Sequence, residues 1–154
     1  MPPFASVQRE ALLNLLRTGD QLENRLMRFF RKHDLTLSQF NLLRVLQLEQ
    51  RALNCSEIGE RMIQIVPAIT GLVDRLEQRQ LVQRHRCSSD RRVVYVSITP
   101  QGAALTEQAL GPLGQLEQQL FQRLSADELQ SLIRLLEATR ESMAADDETQ
   151  ESCP

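Results

Sequence analysis

At 154 residues the chain has the length of one compact unit, and 42% hydrophobic with 25% charged residues is the composition of an ordered globular protein rather than a disordered one. The longest apolar stretch, residues 65–73, is interrupted by Pro67 and Gly71 and falls far short of the roughly 20 residues a membrane span needs; with no basic-then-apolar leader at the N-terminus, the expected location is the cytoplasm. Net charge is −2, from 18 Lys plus Arg against 20 Asp plus Glu, but it is unevenly placed.

Leu12, Leu15, Leu16, Leu22, Leu26, Phe29 and Phe30 recur at threes and fours with no proline among them, which predicts one long helix over residues 5–33. Thr36-x-x-Gln39 is a capping box ahead of Phe40, Leu43, Leu46 and Leu48, and Asn54-x-x-Glu57 is another ahead of Ile58, Met62 and Ile63. Pro67 suits the first turn of a third short helix carrying Ile69, Leu72, Val73 and Leu76. Residues 81–86, a polar Cys87-Ser88-Ser89-Asp90 turn and the β-branched run Val93–Ile98 read as a hairpin. Thr99-Pro100 opens a second long amphipathic run through Leu124, with a kink or break expected at Gly111-Pro112, and Ser125-x-x-Glu128 caps a last helix. From Glu141 onward there are five acids and no base, so residues 144–154 are expected to be a disordered acidic tail.

The expected fold is therefore mainly α with a small β-hairpin wing. Residues 35–99 form a winged helix-turn-helix; residues 1–34 and 100–143 supply flanking dimerisation helices. Between Arg75 and Arg92 six arginines oppose only Glu77 and Asp90, a local charge of +4 placed on the third helix and the hairpin. Almost all the basic charge is arginine, Lys32 being the only lysine, and Arg forks match phosphate and guanine edges bidentately.

If the apolar residues of the third helix face inward, Ala68, Thr70, Gly71, Asp74 and Arg75 face outward or flank the edge and enter the major groove, with Arg75 and Arg79 near phosphates. Thr70 can bond a base or touch a thymine methyl. Arg91 and Arg92 on the hairpin turn can reach a narrow minor groove, and Asp90 would pair with a nearby arginine to hold them. Ser38 and Gln39, at a helix N-terminus, either donate to phosphate or serve only as caps. The competing reading of the third helix is an ordinary polar surface. Leucine stripes on the first and last helices would leave a large apolar surface on a monomer, which either a two-fold partner or packing within one chain would cover. In a homodimer, two recognition helices lie roughly 34 Å apart and read half-sites of a pseudo-palindrome.

In order along the chain, Leu35-Thr36-x-x-Gln39-Phe40, Ser56-Glu57-Ile58-Gly59, Thr70-x-Leu72-Val73-Asp74-Arg75-Leu76-Glu77, Leu81-Val82-x-Arg84, Asp90-Arg91-Arg92 and Ile98-Thr99-x-x-Gly102 resemble the MarR family of transcriptional regulators. The resemblance covers residues 35–102. It implies a dimeric, mostly repressing regulator that binds double-stranded DNA and releases it on sensing a small aromatic or phenolic compound, or an oxidant. Three positions depart from the family pattern: Val66, where relatives often have a hydroxyl cap; Gly71, where many carry a longer polar side chain; and Gln80, where glycine is common. A left-handed residue at Gln80 would cost about 1 kcal/mol relative to glycine, so a different turn into the wing is expected there.

Phe29, His33, Phe40 and Arg44 are candidates for an effector pocket at the junction of the dimerisation helices and the winged domain, although His33 and Asp34 also read as a helix-end surface pair. Cys55, Cys87 and Cys153 are odd in number and widely spaced, as expected of reduced thiols. Cys55 at a helix start and Cys87 beside Arg86 are candidate redox sensors or passive residues. The peroxide-sensing branch of the family carries its reactive cysteine in the first long helix, and residues 1–34 contain none. Only two histidines, no metal-ligand spacing, no Gly-rich phosphate loop and no nucleophile with an evident base argue against an enzyme and against a metal or other cofactor. The remaining rival is a winged-helix module whose basic face docks an acidic protein rather than DNA.

Overall fold

The computed structural model describes residues 6–62, 69–86 and 93–151, with residues 145–151 as backbone alone. The order of elements is α1 (Val7–Arg31), α2 (Leu37–Glu49), β1 (Leu53–Asn54), α3 (Cys55–Arg61), α4 (Ile69–Gln78), β2 (Val82–Arg86), β3 (Val94–Ile98), α5 (Pro100–Phe121) and α6 (Ala126–Glu151). Two compact units divide after Pro112.

In the first unit, both capping boxes form as the sequence predicts. Thr36 Oγ1 accepts from the Gln39 backbone N–H at 3.2 Å while Gln39 Oε1 accepts from that of Thr36 at 3.0 Å. Asn54 and Glu57 exchange the equivalent pair at 2.9 Å each. These close two orphan donors at the start of α2 and of α3, and so fix where each helix begins. Helix ends are set differently. Asp34, Gln50 and Gln80 take left-handed backbone angles, φ of 53°, 52° and 59°, just after α1, α2 and α4. Leu35 N–H reaches the Phe30 carbonyl at 3.0 Å and Leu81 N–H the Leu76 carbonyl at 2.9 Å, the long bond that closes a helix around such a residue. The expected deviation at Gln80 is thus corrected: the turn keeps its left-handed form without glycine.

The sheet has three antiparallel strands in the order β1-β3-β2, one more than the hairpin the sequence predicts. The added strand is the pair Leu53–Asn54, set against Val96 and Tyr95. Two residues are too few to show alternation, which is why the strand is invisible in the sequence. Leu53, Val82 and Val96 point from the sheet into a core completed by Leu42, Leu43 and Leu46 of α2, Ile58 of α3 and Leu72, Val73 and Leu76 of α4. On α1 only Phe30 is buried, and Leu12 and Leu16 are exposed.

Of the two alternatives at Gly111-Pro112, a kink or a break, the break is absent: helix α5 is continuous through Pro112. Pro112 lacks only the one N–H that would have met the carbonyl four residues earlier, and its neighbours on both sides keep helical bonding. Helix α6 continues to Glu151, where a disordered tail is expected from residue 144. No proline or glycine stands between Ala126 and Glu151 to stop it, and Ala144-Ala145 are strong helix formers. In the second unit, Ser125 and Glu128 form the third predicted capping box, at 2.8 and 3.3 Å, and Ile133, Leu135 and Met143 of α6 are exposed.

Candidate nucleic-acid interface

Helix α4 presents two sides of different chemistry. Leu72, Val73 and Leu76 are buried, and the opposite side carries Thr70, Gly71, Asp74, Arg75 and Gln78, of which Thr70, Arg75 and Gln78 are exposed. A Cβ added at Gly71 would meet nothing within 4 Å, so this stretch of the helix surface is open. Arg75 lies along its own helix, with Nε donating to the Gly71 carbonyl at 3.0 Å. That bond leaves both terminal nitrogens available to an anion. Thr70, Gly71 and Arg75 are thus brought together on one exposed face, as the sequence predicts.

Arg79 follows Arg75 by four residues, one turn further along the same flank and just past the end of α4, and is half-buried. Its Nη1 donates to the Asp34 carbonyl at 2.6 Å, tying the end of α4 to the turn after α1. This bond uses one of the five guanidinium N–H donors. Of the two roles open to Gln39, the cap forms: the residue is buried and its carbonyl oxygen accepts the Thr36 N–H. Ser38 is half-buried beside it in the first turn of α2. Ala68, Asp90, Arg91 and Arg92 lie outside the described residues, as does Cys87.

The residue that sequence reasoning overlooked is Arg84 on β2. Its guanidinium bonds Asp74 at 2.5 Å and Glu77 at 2.9 Å, and reaches the Thr70 carbonyl at 3.3 Å. Its backbone N–H also donates to Glu77, at 3.2 Å. Partial burial opposes its charge, yet the hydrogen bond to Asp74 and the charges of Asp74 and Glu77 outweigh that, raising the Arg84 pKa above its ordinary value. Of the six arginines in the basic segment, Arg79 and Arg84 are engaged within the fold; Arg75 and Arg86 are exposed. The available signal was the alternation of β2, which places Arg84 on the same side of the strand as buried Val82.

A second cluster of carboxylates and arginines joins α2 to α3. Arg61 Nε bonds Glu49 at 2.8 Å, and Arg51 bonds Glu57 at 2.9 Å. Glu57, which receives the Asn54 backbone N–H and the Arg51 guanidinium, is held below its ordinary pKa by those two hydrogen bonds. Cys55, a half-buried free thiol, opens α3 and lines a cleft with Ser56, Thr70, Asp74, Arg84 and Val94.

The candidate effector residues divide. The Phe29 and His33 rings lie 4.7 Å apart and His33 is half-buried. Phe40 instead packs in the core, 4.6 Å from the Phe30 ring, with both buried. Arg44 is half-buried and donates to Gln47, which in turn donates to Glu107 of α5. Among the described residues no group of three His, Cys, Asp or Glu side chains is arranged to hold a metal, and no helix is long and apolar enough to cross a membrane.

Comparison with known proteins gives a consistent result. Residues 35–94 match the profile of the MarR family. The homoprotocatechuate degradative operon repressor of Escherichia coli is 30% identical over 132 residues, which are 83% of this chain and 86% of that protein. Among solved structures, BpsR of Bordetella bronchiseptica, described for the regulation of its DNA binding by 6-hydroxynicotinic acid, matches with a TM-score of 0.77 and 26% identity over 91% of this chain and 98% of its own. A mutant of MarR from Escherichia coli complexed with operator DNA matches with a TM-score of 0.74 and 28% identity, over 88% and 99%.

Proposed function

This chain belongs to the MarR family of winged helix-turn-helix transcriptional regulators, not to an enzyme family, and we propose that it is a homodimeric repressor which binds a pseudo-palindromic operator and leaves it when a small aromatic acid is bound. The observation that carries the reading is the open face of α4. Thr70, Gly71 and Arg75 stand clear of the fold beside the wing strands, in a chain similar along most of its length to a protein solved on operator DNA. Major-groove contact by such a face needs small or hydrogen-bonding side chains near the helix start and a cation further along, which is the order found. Arg91 and Arg92 supply the minor-groove contact in this reading, with Asp90 positioning them, and Ser38 a phosphate contact at the start of α2.

Dimerisation is supported by apolar side chains left in solvent. Leu12 and Leu16 of α1 are 56% and 62% exposed and Leu135 of α6 is 67% exposed, surface that a second copy would remove from water. The effector class is supported by the hydroxylated aromatic acids named with two relatives, together with the Phe29–His33 pair and the half-buried Arg44, an aromatic surface and a cation suited to a carboxylate.

The experiment is selection of duplexes from a random library, followed by titration of the enriched site against a scrambled one across a salt series. Selective binding whose logarithm falls steeply with the logarithm of salt concentration is expected, as for about 6 to 10 phosphate contacts. Arg92→Ala should weaken binding to both duplexes with the dimer intact, and Thr70→Ala should reduce the preference for the enriched site. Failure to enrich any sequence would overturn the reading in favour of a protein-docking winged helix.

A further inference from the structure

Asp74 is out of place on a surface that meets DNA. It stands one turn after Thr70 on the exposed side of α4, with its side chain 49% exposed, where a free carboxylate would face phosphates. Glu77, 38% exposed, follows less than one turn later. Between them they would give the recognition helix two negative charges against Arg75.

We infer that Arg84 is a positioning residue for DNA recognition, which holds α4 against the wing and cancels the negative charge that Asp74 would present to the phosphate backbone. The geometry is specific to that task. The guanidinium spans Thr70, Asp74 and Glu77, two turns of the helix, from a strand that is itself paired along its whole length with β3. Arg84 is the less exposed member of each pair, 26%, so the cation sits beneath the carboxylates rather than out toward a ligand. A cation in that position lowers the potential cost of bringing phosphates to Thr70 and Arg75 without occupying the groove itself. It is therefore distinct from the arginines expected to touch DNA.

This inference rests on the DNA-binding reading, and its test separates the two. Duplex enriched by the wild-type protein is titrated with Arg84→Met, Asp74→Asn, the double variant Arg84→Met/Asp74→Asn and the conservative Arg84→Lys, each also followed by thermal unfolding. Arg84→Met is expected to weaken binding about tenfold, as for an uncompensated charge facing the partner. The double variant should return to within about threefold of wild type, because the more exposed of the two carboxylates, Asp74, is no longer charged and only Glu77 remains. Asp74→Asn alone should bind as tightly as wild type or tighter, and Arg84→Lys should keep most of the affinity.

A double variant as weak as Arg84→Met would overturn the inference, leaving Arg84 a purely structural or a direct phosphate contact. A salt slope reduced by about one in Arg84→Met would identify the direct contact. Should Arg84→Met fail to fold, Asp74→Asn decides: weaker binding by that variant at unchanged thermal midpoint contradicts charge cancellation. If the wild-type chain enriches no duplex, the DNA-binding reading falls first and this inference with it.

Discussion

The carbonyl oxygen of Leu81 fills the space that a side chain at Gly102 would need: a Cβ there would come within 2.1 Å of it, closer than any real contact. The approach belongs to a small corner that joins α4, the wing and α5. Thr99 Oγ1 donates to the Gln80 carbonyl at 2.7 Å and accepts from the Gly102 N–H at 3.0 Å, while the Thr99 N–H donates to Leu81 at 3.1 Å. Gly102 is required because the backbone of the turn after α4 passes directly over the first turn of α5. Gly102→Ala must therefore displace backbone, and a loss of roughly 2 to 4 kcal/mol is expected, at the high end for single substitutions. Chemical denaturation followed by far-ultraviolet circular dichroism measures it; a variant within 0.5 kcal/mol of wild type would contradict the close approach.

Gln80 makes the converse case. It holds a left-handed angle that glycine adopts without penalty, and its side chain is exposed. Gln80→Gly should raise stability by up to about 1 kcal/mol, the relief of the left-handed penalty reduced by glycine's greater freedom in the unfolded chain. An unchanged or lower denaturation midpoint would show that Gln80 contributes something its backbone angle does not reveal.

Gly71 sits inside α4 in open space. Gly71→Ala should stabilise the protein by about 0.5 to 1 kcal/mol, since glycine weakens a helix interior by that much relative to alanine. The same methyl would stand on the face assigned to the major groove. Thermal unfolding and DNA titration should move in opposite directions, and parallel changes would remove Gly71 from the contact surface.

Acid should loosen the two helix starts that depend on carboxylates. Glu57, bonded by the Asn54 N–H and Arg51, and Glu128, bonded by the Ser125 N–H and hydroxyl, both have pKa values lowered from an ordinary 4.5. A group with a lowered folded pKa contributes stability that is complete above the unfolded value and lost as pH falls through the folded one. The thermal midpoint should hold its contribution from these groups down to about pH 5 and lose it below that. Glu57→Gln should have a shallower acid limb than wild type; an identical limb would mean that Asn54 caps α3 without help from that charge.

Much of this molecule was legible because its signals are local. A capping box needs two side chains three residues apart, and Thr36 with Gln39, Asn54 with Glu57 and Ser125 with Glu128 all formed as the sequence predicts. The open side of α4 followed from helical spacing alone. What escaped depends on partners distant in the chain. The Arg79 bond to Asp34, 45 residues earlier, and the Arg84 pairs with Asp74 and Glu77 join residues that no local spacing connects. For Gln39 the sequence leaves two roles open, and the cap is the one that forms, because its carbonyl oxygen accepts the Thr36 N–H from a buried position.

The two-residue strand β1 ends on the residue that caps α3. Asn54 pairs with Tyr95 in the sheet and in the same position accepts the Glu57 N–H. Sheet and helix thus share a residue, with no spacer between them. A deletion or insertion at this joint cannot be taken up as slack: a one-residue slip would turn Leu53 out of the core and the cap away from its helix together. Evolutionary change in chain length has no room here, and the spacing from Leu53 to Ile58 should behave as a fixed ruler against which the rest of the winged domain is set.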